Sequence, residues 1–150
     1  HPDARFVFGG DGEVRAYEKL ADELGIYDKC RFIGWAAGEK KDEAFQNCSI
    51  FCLPSKNEGM PMSVLEAMSY GLATIATPVG GVPQIINDGV DGFLFPVDDV
   101  TALTEKLDVL MSDNALKERI GKCGRACIEK SFSLDAYMDQ IDTIYEIIRK

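Results

Sequence analysis

Glu58-Gly59-Met60-Pro61-Met62-Ser63-Val64-Leu65-Glu66 places two carboxylates on either side of a Gly-x-Pro turn and the start of a predicted helix. The apolar run before it, Ile50 to Pro54, predicts a buried strand. A helix N-terminus exposes unpaired N–H groups and a partial positive charge, which attract phosphate. Ionised carboxylates accept hydrogen bonds from hydroxyl groups. A phosphate between two hydroxyl-binding acids fits a sugar nucleotide.

Three other motifs accompany these acids in a fixed order. They are Gly9-Gly10-Asp11-Gly12, Val79-Gly80-Gly81-Val82-Pro83 and Asp91-Gly92-Phe93-Leu94-Phe95-Pro96. With Glu58 and Glu66 they resemble the retaining GT-B glycosyltransferases, in particular family 4, which is related to capsule, lipopolysaccharide and mannosyl transferases. The resemblance covers nearly all of the chain, and it implies transfer of a sugar from a nucleoside diphosphate with retention.

Strands alternate with helices along the chain, without a hairpin signal, which favours an α/β fold with a doubly wound parallel sheet. The resemblance makes this Rossmann-like sheet the C-terminal half of a GT-B fold. In such sheets ligands bind at the carboxyl ends of the strands. Predicted strands cover 5–8, 30–34, 50–54, 73–77 and 93–95, and predicted helices cover 14–24, 39–47, 63–70, 82–86, 99–111, 113–130 and 134–149.

We expect residues 1–150 to form a single donor-binding domain. By resemblance, a first strand–helix unit carrying an Arg and a Lys for the diphosphate, and an N-terminal acceptor domain, would precede it, so the chain alone is predicted to be inactive. That first strand would lie between the Val7 strand and the Ile50 strand. We expect these two strands to remain unpaired with each other, leaving open edges that favour self-association or pairing with another segment.

The resemblance assigns a role to each acid. Glu58 would face the transferred sugar as the catalytic residue, and Glu66 would bind the ribose hydroxyls. An alternative for Glu66 is structural, because Ser63 to Glu66 also reads as a capping box. The remaining donor-binding residues of this segment would act chiefly through the backbone and the helix start: Gly59, Met60, Pro61, Met62, Ser63 and Val64.

Two earlier segments are also candidates for the donor site. Gly10 and Gly12 would form part of the cleft floor, or simply a tight turn from strand to helix. They fit a dinucleotide fingerprint poorly, because a third Gly is absent at the required spacing. By resemblance, Arg31 and Phe32 begin a segment whose backbone meets the base, although Phe32 is also a good core residue.

The composition of the chain disfavours several classes of partner and of catalysis. The net charge of −9 disfavours nucleic acid and gives no support to a polybasic membrane anchor. Five cysteines, an odd number, without a secretory signal predict a reducing cytoplasm. The single histidine, His1, offers no Ser-His-Asp or Cys-His catalysis. We expect no cofactor and no metal, since GT-B enzymes generally stabilise the leaving diphosphate with cationic side chains and helix N–H groups.

The predicted partners are a nucleotide-sugar donor and a glycan or lipid-linked acceptor, which the acceptor domain would bind. Peripheral membrane association of the full-length protein is compatible with such an acceptor. Two other functions stay open: another GT-B enzyme, such as a nucleotide-sugar epimerase or a phosphorylase, and a non-catalytic module that binds a nucleotide sugar. An epimerase would leave its product on the nucleotide, whereas a transferase would not.

Overall fold

A computed structural model describes residues 1–149 and shows a parallel α/β protein. Over these residues every strand pair is parallel, as the sequence predicts. The strands are β1 (Phe6–Gly9), β2 (Cys30–Gly34), β3 (Ile50–Leu53), β4 (Ala73–Ala76) and β5 (Phe93–Leu94).

The helices match the predicted positions to within about one turn. Side chains cap three of the helices, because Asp99, Asp113 and Ser133 each accept a hydrogen bond from an amide in the first turn of the following helix. The helices are α1 (Val14–Glu23), α2 (Glu39–Asn47), α3 (Met62–Ser69), α4 (Val82–Ile85), α5 (Val100–Ser112), α6 (Asn114–Ser131) and α7 (Leu134–Ile148).

The chain divides into two compact units, the first over His1–Asn47 and the second from Cys48 onward. The strands divide in the same way. One sheet has the order β1-β2, and the other has the order β3-β4-β5. Strand β1, which contains Val7, belongs to the first sheet, and β3, which begins at Ile50, belongs to the second.

The first unit has a small core. Ala21 of α1, Ile33 of β2 and Phe45 of α2 are its buried apolar residues. Phe8 and Phe32, which are paired in register across β1 and β2, stack with ring centroids 4.9 Å apart. The side chains of β1 nevertheless stay open to solvent, with Val7 38% exposed.

The second unit is built around β4. All four of its residues, Ala73 to Ala76, are buried, and its neighbours in the sheet are β3 and β5. Because β3 and β4 are parallel and Leu53 pairs with Ala76, both strands end at the same edge. The loops that follow them, residues 54–61 and 77–81, leave the sheet side by side, which places the Glu58 loop at the carboxyl edge.

Candidate active site

Glu58 lies in the loop between β3 and α3, and the residue is half-buried. The Ser55 hydroxyl donates a hydrogen bond to Oε1 of Glu58 over 2.6 Å. Among residues 1–149, Oε2 of Glu58 has no hydrogen-bond partner. One carboxylate oxygen is therefore held by the protein, and the other remains able to accept a hydrogen bond from a ligand.

A glycine pair after β4 closes on the backbone of the Glu58 loop. The Gly81 amide donates to the Gly59 carbonyl oxygen over 2.6 Å. Gly80 has a φ of +55°, a conformation that favours glycine, and a Cβ there would overlap the Glu58 carbonyl oxygen. The family motif at 79–83 thus contributes a backbone surface that holds the acidic loop in place.

Helix α3 begins one residue earlier than the sequence predicts, because Pro61 and not Ser63 occupies the N-cap position. The Val64 amide donates to the Pro61 carbonyl oxygen over 3.1 Å. The amides of Met62 and Ser63 precede it in the first turn and have no intrahelical acceptor. They are the backbone donors that this helix can offer to an anion.

The observed start of α3 tests the capping-box interpretation of Glu66. With Pro61 as the N-cap, Glu66 is the fifth helical residue, so it cannot occupy the third position that a capping box requires. The capping-box alternative is therefore wrong. Glu66 is half-buried on α3 and has an interaction with the protein. Its role as a ribose ligand stays a prediction.

The remaining residues of the segment differ in exposure. Met60 is 46% exposed and Met62 is 61% exposed, whereas Pro61 and Val64 are buried. Two large apolar side chains thus stand in solvent beside the acid, and two anchor the loop and helix in the core. Gly59 has open space where a Cβ would be, so its lack of a side chain is not required by packing within the protein.

The other four predicted donor-binding residues lie in the first unit. Gly10 has a φ of +147°, and its amide donates to the Gly34 carbonyl oxygen over 2.8 Å. The Gly12 carbonyl oxygen accepts from the Val14 amide at the start of α1 over 2.7 Å. Both contacts fit the interpretation of this segment as a tight turn.

Arg31 and Phe32, also in the first unit, have protein partners on β1 and α2. The Arg31 guanidinium pairs with the Glu43 carboxylate over 3.6 Å, and both side chains are mostly exposed. Such an exposed ion pair is weak, so Arg31 can exchange its partner for a ligand at little cost. Phe32 stacks on Phe8, which supports its interpretation as a packing residue.

Sequence reasoning identified both acids but not their support. It missed Ser55 and Thr77, whose hydroxyl donates to the Ser55 carbonyl oxygen. It also treated Gly80 and Gly81 only as a motif. The available signal was the pairing of β3 with β4, because residues that follow two neighbouring parallel strands meet at one sheet edge.

Over residues 1–149 the chain forms no cluster of three or more His, Cys, Asp or Glu side chains that could hold a metal ion. Within that same range no helix combines the length and apolar character needed to span a bilayer. The cysteines are all free thiols. Burial raises the pKa of the Cys52 thiol, on β3, to about 11.

Comparison with known proteins defines the class. Residues 1–126 match the family model described as Glycosyl transferases group 1. The chain therefore belongs to the glycosyl transferases group 1 family, and its fold is the Rossmann-like fold of GT-B glycosyltransferases.

Relatives in this family carry diverse names. The chain is 37% identical over 132 residues to the sulfoquinovosyl transferase SQD2 of Arabidopsis thaliana, covering 86% of this chain and 25% of that protein. It is 31% identical to the N-acetyl-alpha-D-glucosaminyl L-malate synthase of Bacillus anthracis, covering 95% of this chain and 37% of that protein. The chain thus spans well under half the length of these relatives.

Among solved structures, Anabaena Alr3699/HepE in complex with UDP superposes with a TM-score of 0.87. The superposition covers 97% of this chain and 42% of that one, at 21% identity. At this identity the likeness establishes the fold alone.

Proposed function

We propose that this chain is the donor-binding part of a retaining glycosyltransferase. The whole enzyme transfers a hexose-type sugar from a nucleoside diphosphate to a glycan or lipid-linked acceptor in polysaccharide biosynthesis. The observation that carries this proposal is the arrangement at the carboxyl edge of β3. There, a half-buried acid with one free oxygen directly precedes a helix N-terminus, and a second acid follows one turn later.

In this proposal each group meets the part of the donor that suits its chemistry. Glu58 accepts hydrogen bonds from the transferred sugar near the reacting carbon. The Met62 and Ser63 amides meet the diphosphate, where the helix N-terminus stabilises the charge that develops on the leaving group. Glu66 accepts hydrogen bonds from the ribose. The nucleotide contacts of Arg31, Phe32, Gly10 and Gly12, which belong to the first unit, stay a prediction from the family resemblance.

The catalytic strategy is electrostatic and needs no metal. The start of α3 supplies only the partial positive charge of a helix N-terminus, which is less than the charge of a leaving diphosphate. We propose that cationic side chains outside these 150 residues, with an acceptor-binding domain, complete the site. The chain by itself should therefore transfer no sugar, and detectable transfer by the purified chain would contradict this.

Similar proteins support a nucleotide-sugar donor and suggest which one to test first. The Anabaena neighbour is described in complexes with UDP and with UDP-glucose. The SQD2 relative is named as a sulfoquinovosyl transferase. These names differ in sugar, so UDP-glucose is a starting probe for this chain and not an assignment.

The test is a donor panel on the full-length protein. UDP-glucose, UDP-galactose, UDP-N-acetylglucosamine and GDP-mannose are incubated with it, and release of the nucleoside diphosphate is measured with water as acceptor. Proton NMR at early times identifies the first anomer of the released sugar. We expect one donor to be cleaved preferentially, with the α-linked donor giving the α-anomer first.

The epimerase and the binding module predict outcomes that differ from transfer. An epimerase would convert the donor into an isomeric nucleotide sugar without releasing the sugar to water. A binding module would bind the donor and leave it intact. A first-formed β-anomer would contradict retention while leaving glycosyl transfer intact.

A further inference from the structure

We propose that Ser55 is a positioning residue that orients the Glu58 carboxylate, and that Thr77 holds Ser55 in place. The expected effect of Ser55 on turnover rests on the proposed function of Glu58. The geometric part, in which a serine hydroxyl sets the rotamer of the acid, stands on the contacts of this chain alone.

The first contact joins Thr77 and Ser55, which lie in the two loops at the carboxyl edge of the sheet. Thr77 directly follows β4, and the residue is 1% exposed. Its amide donates to the Leu53 carbonyl oxygen over 3.2 Å and so continues the hydrogen bonds between β3 and β4. Its hydroxyl donates to the Ser55 carbonyl oxygen. The backbone of Ser55 is therefore anchored to a buried residue that directly follows the central strand.

The second contact reaches the acid. The Ser55 hydroxyl donates to Oε1 of Glu58 over 2.6 Å, three residues along the same loop. A carboxylate can only accept, so this hydroxyl must be the donor. The bond fixes the rotation of the carboxylate about its last torsion, which is otherwise broad, and leaves Oε2 directed elsewhere.

The glycine pair restricts the other end of the acid. The Gly81 amide donates to the Gly59 carbonyl oxygen. Gly80 lies so close to the Glu58 carbonyl oxygen that a side chain would not fit between them. The main chain of Glu58 is thus held from one side and its carboxylate from the other. Since misplacing a reacting group by about 1 Å can cost around a hundredfold in rate, loss of the Ser55 hydroxyl should reduce turnover.

The structural arm of the test compares crystal structures of the full-length protein with and without Ser55→Ala. We expect the Glu58 side chain to leave its parental rotamer or to occupy several in Ser55→Ala, with β3, α3 and the loop backbone unchanged. Thr77→Val removes the hydrogen bond to the Ser55 carbonyl oxygen and keeps the Ser55 hydroxyl, so it should displace the loop at Ser55. A Glu58 carboxylate that keeps a single parental rotamer in Ser55→Ala would overturn the proposal.

The kinetic arm uses a double-mutant cycle with Glu58→Gln, measured on the donor that the panel selects. Ser55→Ala should lower kcat about tenfold to a hundredfold, the effect of losing a hydrogen bond to a charged group. It should leave the affinity for the free nucleoside diphosphate within about twofold of the parent, by the assignment of Glu58 to the sugar and not the nucleotide. In the Glu58→Gln background, Ser55→Ala should add little further loss, since both changes remove one function.

Two controls separate positioning from general stability. Ser55→Thr keeps the hydroxyl and should recover most of the lost kcat. Ser133→Ala also removes a serine hydrogen bond, at the N-cap of α7, and should leave kcat unchanged. Full additivity of Ser55→Ala with Glu58→Gln would overturn action through the acid.

The two levels of the inference fail in different ways. If Glu58→Gln itself keeps parental kcat while Ser55→Ala still frees the carboxylate in the crystal, the proposed role of Glu58 is wrong and the positioning contact stands. If Glu58→Gln is inactive but Ser55→Ala has parental kcat, the proposed function stands and Ser55 is not a positioning residue.

Discussion

At the scale of single residues, substitutions of the two acids, Glu58 and Glu66, should have different effects. We expect Glu66→Ala to weaken binding of the free nucleoside diphosphate to the full-length protein, because it removes hydrogen bonds between a carboxylate and the ribose. The loss should be about 1.5–3 kcal/mol, or about tenfold to a hundredfold in Kd. Glu58→Ala should bind the nucleotide almost normally and reduce turnover. Calorimetric titration of both variants decides this, and parental affinity in both would refute the two-acid assignment.

Cys52 provides a residue-scale test of burial in β3. Because burial raises the pKa of its thiol to about 11, little of the reactive thiolate exists at pH 8 in the folded protein. Mass spectrometry should show slow alkylation of Cys52 by iodoacetamide at pH 8 and fast alkylation in urea. Equal rates in the two conditions would show that the thiol is not protected.

The same shift has a consequence for stability. As the pH rises, the Cys52 thiol loses its proton at a lower pH in the unfolded chain than in the folded protein. The contribution of the buried thiol to the free energy of unfolding is therefore fully present below the ordinary thiol pKa. It is lost as the pH rises toward about 11. Cys52→Ala should reduce this alkaline loss.

The sequence predicted the acids of the site but not what holds them. Glu58 and Glu66 stand out because residue types and spacing are readable along the chain. The Ser55 and Thr77 contacts are not, since they depend on which strands become neighbours. The capping-box interpretation was wrong for a local reason: Pro61 already supplies the extended residue and the acceptor that begin α3.

At the scale of elements, the turn before α4 should be intolerant of a side chain. Gly80→Ala combines a φ of +55° with an overlap on the Glu58 carbonyl oxygen. We expect a loss of roughly 1–3 kcal/mol in the free energy of unfolding, the range for a residue held in a disfavoured conformation. Urea denaturation measures it, and the loop must move if the protein still folds.

Gly59→Ala is the matched control for this substitution, because it lies in the adjoining loop and a Cβ there meets open space. It should unfold within about 0.5 kcal/mol of the parent, as surface substitutions usually do. Equal stability losses in the two variants would show that the close approach of Gly80 to the Glu58 loop does not contribute to folding.

Element positions were largely predictable, whereas their grouping was not. The ranges predicted from the sequence located all five strands and the seven α-helices of residues 1–149. The division into sheets β1-β2 and β3-β4-β5 depends on strand order. Strand order is set by long-range pairing, and the only sequence information on it came from the family resemblance.

At the scale of the whole molecule, the open strands should govern association. Residues 1–149 leave β1 and β3 each with a single strand neighbour, and both strands are apolar. Unpaired edges of this kind template pairing with other chains. Sedimentation velocity of the purified chain should show concentration-dependent self-association.

Charged substitutions provide the check on that expectation. Val7→Lys, on the exposed face of β1, should reduce the association, since charge on an edge strand opposes edge-to-edge pairing. Val109→Lys places the same charge on exposed α5, away from a strand, and should leave it unchanged. A purely monomeric parent chain at all concentrations would contradict strand-mediated association.

The central claim is that the edge formed by β3 and α3 binds a nucleotide sugar between two acids. The most direct measurement is a crystal structure of the full-length protein with the nucleoside diphosphate that binds it best. We predict ribose hydroxyls within hydrogen-bond distance of the Glu66 carboxylate and phosphate oxygens at the Met62 and Ser63 amides, with the free Glu58 oxygen facing the sugar position. A nucleotide bound away from both Glu66 and the start of α3 would contradict the account.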